Sequence, residues 1–220
     1  MARKARRFVP LATHYLILVT LLSGCVTMNL PSAKDYELIY SGKRSIVLLR
    51  ISCEIDGKPY EVFRHFVGDD DIGFALGGFE TGGELLRKIP KFISSETRKD
   101  GWLYFLLEPG YHYLAVQPPR WGDVWSYENS FKSAPLWRLD IPLQTGIVYA
   151  GTLHIPGIRQ KMLFGGISIK SFITDSIVVR NDEEAARKIA GDFFPELQPF
   201  KTVLMVKHEG PIILKTPKKE

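Results

Sequence analysis

The chain has 220 residues, 45% of them hydrophobic, with 29 Lys and Arg against 24 Asp and Glu, a formal charge of +5. Four of the basic residues, Arg3, Lys4, Arg6 and Arg7, fall within residues 1–24, which hold no acid, so the remainder is close to neutral. It lacks the basic excess with which nucleic-acid binders displace counterions, and no nucleic acid is expected as a partner. The basic start followed by apolar Phe8–Leu22 has the order of a secretory leader. Pro10 and His14 interrupt that stretch, which is shorter than the ~20 apolar residues of a spanning helix.

Leu22-Ser23-Gly24-Cys25 follows. These four residues resemble the lipobox of bacterial lipoproteins: Leu, a small residue, Gly or Ala, then Cys. The resemblance implies acylation of the Cys25 thiol, cleavage before it, and a membrane anchor made of lipid. On that reading residues 1–24 are the signal peptide, 25–34 a lipidated tether and 35–220 one domain. Val26 in place of Asp after the cysteine resembles the outer-membrane sorting pattern of Gram-negative lipoproteins, which implies a body facing the periplasm. Three alternatives stay open: an ordinary leader with Cys25 free to bridge Cys53, an uncleaved single-pass anchor, and a twin-arginine signal at Arg6-Arg7.

Beyond the tether, short apolar runs rich in β-branched and aromatic residues recur between Gly, Pro, Asp and Asn. This predicts strands at 36–40, 45–55, 60–66, 85–89, 102–107, 111–117, 136–141, 147–155, 163–169, 176–180 and 203–207. In the second run Val47, Leu49, Ile51, Cys53 and Ile55 alternate with Arg50, Ser52 and Glu54, so Cys53 is expected to be buried and inert. Trp137, Leu139 and Ile141 alternate with Arg138 and Asp140 in the same way, and Ile147, Tyr149, Leu153 and Ile155 are expected on one face with Gly151. Half-buried strands of this kind predict a mainly β fold, an antiparallel β-sandwich. One C-terminal α-helix is expected to pack on it, over 182–190, with Asn181 as N-cap, Glu184 at N3 and Gly191 as stop.

Glu108-Pro109-Gly110-Tyr111 reads as a type II turn, which makes the flanking strands splay or turn a corner. The stretch Leu107–Leu114 around it resembles the strand, Pro-Gly turn and Tyr of transthyretin-like and carboxypeptidase-regulatory-like β-sandwich modules. That resemblance implies a sandwich and no activity.

Little in the chain points to catalysis. His65, His112, His154 and His208 are single, no HExxH or CxxC spacing exists, and no GxSxG elbow places a nucleophile, so no metal, cofactor or enzymatic activity is expected. Asp69-Asp70-Asp71 is read as a solvated turn, and the glycines of 71–84 as a loop or bulged edge strand without the GK[ST] ending of a phosphate loop. The candidate binding residues are Trp121, Trp125 and Tyr127, aromatics on a Pro- and Gly-bearing segment that can stack on sugars or grip a partner. The function expected is a membrane-anchored envelope lipoprotein with a non-catalytic structural or interaction module. A module for envelope glycans is the alternative, an envelope hydrolase the third reading, and envelope proteins or glycans are the candidate partners.

Overall fold

The computed structural model describes residues 29–61, 73–79, 85–117, 135–161, 168–210 and 212. The strands in chain order are β1 (Ser45–Ile55), β2 (Lys58–Tyr60), β3 (Gly73–Phe79), β4 (Leu85–Lys88), β5 (Trp102–Leu107), β6 (Gly110–Gln117), β7 (Leu136–Ile141), β8 (Ile147–Lys161), β9 (Ser168–Phe172), β10 (Val178–Arg180), β11 (Phe200–Thr202) and β12 (Val206–His208). Among the described residues three α-helices accompany them, α1 (Ala33–Tyr40), α2 (Ser95–Lys99) and α3 (Glu183–Phe193). The fold is mainly β and has two sheets. Sheet A runs β10-β8-β1-β2, with β5 added on β1 and β9 and β11 on β8, and sheet B runs β12-β7-β6-β3-β4.

Sheet B is antiparallel throughout. Sheet A is not, because β1 pairs with β8 in parallel and β8 with β11 in parallel. The all-antiparallel expectation is therefore corrected. The chain visits sheet B with β3, β4, β6 and β7 before β8 returns beside β1, and so long a crossover permits parallel pairing where a hairpin would not. The Glu108-Pro109-Gly110 turn is one of the corners. It links β5 in sheet A to β6 in sheet B, with Gly110 at a φ of +120°.

The predicted alternation of β1 holds. Val47, Leu49, Ile51, Cys53 and Ile55 join Leu103, Phe105, Val148 and Leu153 of sheet A, and Leu114, Trp137, Leu139 and Ile141 of sheet B, in one apolar cluster. Each such side chain contributes about 1.5–3 kcal/mol when fully removed from water. A second cluster lies on the other face of sheet A. Ile46, Leu48, Tyr104, Ile147 and Tyr149 pack there against Ile39 of α1, Ala186 and Ala190 of α3, and Phe194.

Both long helices differ from their sequence reading. The expected strand over 36–40 and the last residues of the expected tether are α1, started by a capping box in which Ser32 Oγ accepts from Asp35 N at 3.2 Å and Asp35 Oδ2 accepts from Ser32 N at 3.0 Å. Helix α3 starts one residue late, with Asp182 as N-cap and no side-chain cap bond, and runs through Gly191 to Phe193. Phe194 then closes it, almost fully buried and edge-on to Tyr104 at 5.5 Å. With β11 and β12 after it, α3 is not the C-terminal element. The glycine-bearing segment 73–79 is likewise no edge, since β3 pairs with β4 on one side and β6 on the other.

Candidate functional site

The sequence-predicted residues Cys25, Trp121, Trp125 and Tyr127 lie outside the described residues, as do His65 and Asp69-Asp70-Asp71. What the structure brings together is a different surface, the outer face of sheet A beyond its helices. Its construction begins with one extra residue in β8. Leu48 pairs with Tyr149, but Arg50 pairs with Thr152, so β8 spends three residues where β1 spends two. The bulge centres on Gly151 at a φ of +108°, where a Cβ would lie 2.5 Å from Val179 Cγ1. Only glycine fits there.

The bulge reverses the phase of β8. Tyr149 points to the helices, but two positions beyond the bulge it is Leu153 and Ile155 that turn inward to sheet B, while Thr152 and His154 come out beside Arg50 and Ser52. The expectation that Ile147, Tyr149, Leu153 and Ile155 share a face is thereby corrected. The outcome is a polar ladder of Arg50, Ser52 and Glu54 on β1, Thr152 and His154 on β8, and Arg180 on β10, in register with Thr152.

Local contacts fix this ladder. Arg50 Nη1 donates to Asp182 Oδ2 at 2.9 Å and its Nε to Asp100 O at 3.0 Å, with the guanidinium 5.5 Å from the Trp102 ring centre. Asp182 thus uses its carboxylate on β1 rather than on its own helix start. Tyr149 and Thr152 share a hydroxyl hydrogen bond of 2.9 Å, and Asp182 N donates to Tyr149 Oη at 3.1 Å. These groups mark the border between the helix-covered half of the face and the open half.

His154 is buried and touches Ser52 Oγ through Nδ1 at 3.4 Å, while Nε2 stands 3.7 Å from Glu54 Oε2. Burial, then the nearby Arg180 charge, hold its pKa below the ordinary histidine range, and Glu54 opposes both. Ser, His and Glu are residue types of acyl transfer, but 3.7 Å is longer than a hydrogen bond, so Glu54 does not orient the ring as a triad acid does. What the ladder offers is an array of donors, acceptors and both signs of charge on a pleated surface. Two clefts, of about 240 and 100 Å³, lie at the helix-bearing end, beside Gln144 and Gln198 and between α3 and Phe200.

His112, by contrast, faces inward. His112 is 4% exposed, its Nε2–H donates to Glu108 O at 2.8 Å, and its Nδ1 has no hydrogen-bond partner. Burial is the first cause holding its pKa down, with Lys88 adding to it and Glu108 opposing. Among the described residues no group of three His, Cys, Asp or Glu has metal-site geometry, and no helix is long and apolar enough to cross a membrane.

The sequence reading placed Arg50, Ser52 and Glu54 on one face but missed Thr152, His154, Arg180 and Asp182. Gly151 inside a β-branched, aromatic run was the available signal for the bulge. The chain matches no protein-family model, no curated protein and no solved structure.

Proposed function

We propose that this chain is a lipid-anchored lipoprotein of the cell envelope, held at the outer membrane through acylated Cys25, whose body is a β-sandwich acting as a non-catalytic interaction module in the periplasm. One observation carries the reading beyond the Leu22-Ser23-Gly24-Cys25 motif. Cys53 is a free thiol, 3% exposed within the apolar cluster between the sheets, where burial raises its pKa. It is the chain's one other cysteine, and its place inside that cluster supports a Cys25 thiol left for modification. The buried thiol is also no nucleophile, which favours a non-catalytic body.

The apolar cluster shared by both sheets supports the sandwich, and α3 lies on its outer layer through Ala186 and Ala190. The 3.7 Å gap between His154 and Glu54 and the mixed charges of the ladder suit recognition of an envelope partner better than catalysis. Expression of Cys25→Ser in a diderm host tests the anchor. The variant is expected to leave the membrane pellet after high-salt washing only if its leader is removed, and otherwise to accumulate as an unprocessed, unacylated precursor. Normal processing with unchanged membrane retention contradicts the proposal.

A further inference from the structure

The anchor leaves very little slack. Asn29 is the first described residue, its carbonyl accepting from the Tyr104 hydroxyl, and Pro31 behind it is buried. Three residues lie between Cys25 and Asn29, and the four extended steps that join the two span at most about 14 Å. Whichever surface surrounds Asn29 must therefore stay near the lipid.

That surface has a composition suited to the place. Tyr104 pairs through its backbone with Lys91 in both directions at 2.8 Å, and Lys91 Nζ lies 3.7 Å from Asp35 Oδ2 on the first turn of α1. Arg44 bridges Asp35 at 3.9 Å to Glu108 at 3.2 Å, and Lys88 Nζ meets Glu108 Oε2 at 2.7 Å. Three cations hold two carboxylates, and exposed Lys34 adds another positive charge. Between Lys88 and Lys91 stands Ile89, 72% exposed, and beside Asn29 stands Leu30 at 39%. Cationic side chains interleaved with protruding aliphatic ones are the pattern that rests on anionic headgroups.

We propose that the corner made by Leu30, Lys34, Ile89 and Lys91 docks on the anionic phospholipid surface that holds acylated Cys25, so that the body sits in one orientation on the membrane. This rests on the lipid anchor proposed above. The single-residue connection from Asn29 into Leu30, together with the Asp35–Lys91 pair, ties both apolar residues to the same corner. Sheet A extends away from it, since β1, β8 and β10 succeed one another beyond β5, which carries Tyr104. Val178 on β10 is 47% exposed and serves as the distant reference point.

The test uses the full chain extracted from membranes, with acylation read by intact mass, reconstituted into protein-free vesicles. Ile89→Cys and Val178→Cys each carry a bimane label, Cys53 being buried, and the vesicles contain headgroup spin-labelled lipid with phosphatidylglycerol or with phosphatidylcholine alone. Several-fold stronger quenching at 89 than at 178 is expected in phosphatidylglycerol vesicles. The difference should shrink in phosphatidylcholine, in high salt, and with Lys34→Glu combined with Lys91→Glu. Acylated protein quenched equally at both positions overturns the corner and leaves the anchor standing. Shielding at 89 in native membranes but not in vesicles also overturns it, in favour of a protein partner. A chain without acyl mass that leaves the vesicles overturns anchor and corner together.

Discussion

Along β1 and β8 the first half, Ile46–Leu48 against Ile147–Tyr149, is apolar on both faces, whereas in the second half only the face toward sheet B is apolar. In the first half sheet A is a middle layer, with sheet B beneath and α1 and α3 above. In the second, Arg50, Ser52, Glu54, Thr152 and His154 stand where the helices would have packed. One pair of strands thus supplies both a doubly covered core and a polar outer ladder, and the bulge at Gly151 is the joint between them. Without it, β8 would present Leu153 and Ile155 to the open side.

Substitution in the covered half should produce the largest effect. Leu48→Ala is expected to cost about 2–5 kcal/mol, the usual range for a fully buried leucine, while Ser52→Ala four positions on should stay within about 0.5 kcal/mol. Urea unfolding of the two variants measures the contrast, and equal losses would break it. Gly151→Ala attacks the joint, combining a positive φ with a Cβ 2.5 Å from Val179 Cγ1, and should cost about 2–4 kcal/mol in the same measurement.

A smaller effect is expected at the border. The Arg50 and Asp182 side chains are 32% and 40% exposed, so their coupling in a double-mutant cycle should be about 0.5–1 kcal/mol and fall with added salt. The gentlest prediction concerns pH. The folded state holds His154 and His112 below the ordinary pKa, so it binds fewer protons than the unfolded chain as pH falls through about 6.5. Stability from these residues is full above that value and declines below it. His154→Gln should flatten part of the decline between pH 7 and 5, and an unchanged slope would show that His154 does not titrate as its surroundings dictate.

Regular alternation made much of sheet A and sheet B legible in the sequence. Ser45–Ile55 and Leu136–Ile141 are strands over the bounds their pattern predicted, because period two leaves one solution when one face must be buried, and Trp102–Leu107 is a strand over the bounds of its short, wholly apolar run. The misreadings have physical causes. Tyr36, Leu38 and Tyr40 mimic a strand, but Tyr36, Ile39 and Tyr40 also satisfy helical spacing, and the Ser32–Asp35 capping box decides between them. The bulge hid the candidate surface, since one inserted residue is invisible to a strict two-residue period. The Arg50–Asp182 pair was hidden for another reason: it joins positions 132 residues apart, and no local pattern encodes a tertiary contact. Gly110 was legible as a turn, but that it changes sheets follows only from which strands its neighbours choose.

Mass spectrometry of the N-terminal peptide from membrane-extracted protein tests the lipid anchor at Cys25 most directly. A peptide beginning at Cys25 and carrying diacylglyceryl and acyl mass is the predicted result. An N-terminus upstream of Cys25, or an unmodified Cys25 thiol, would contradict it.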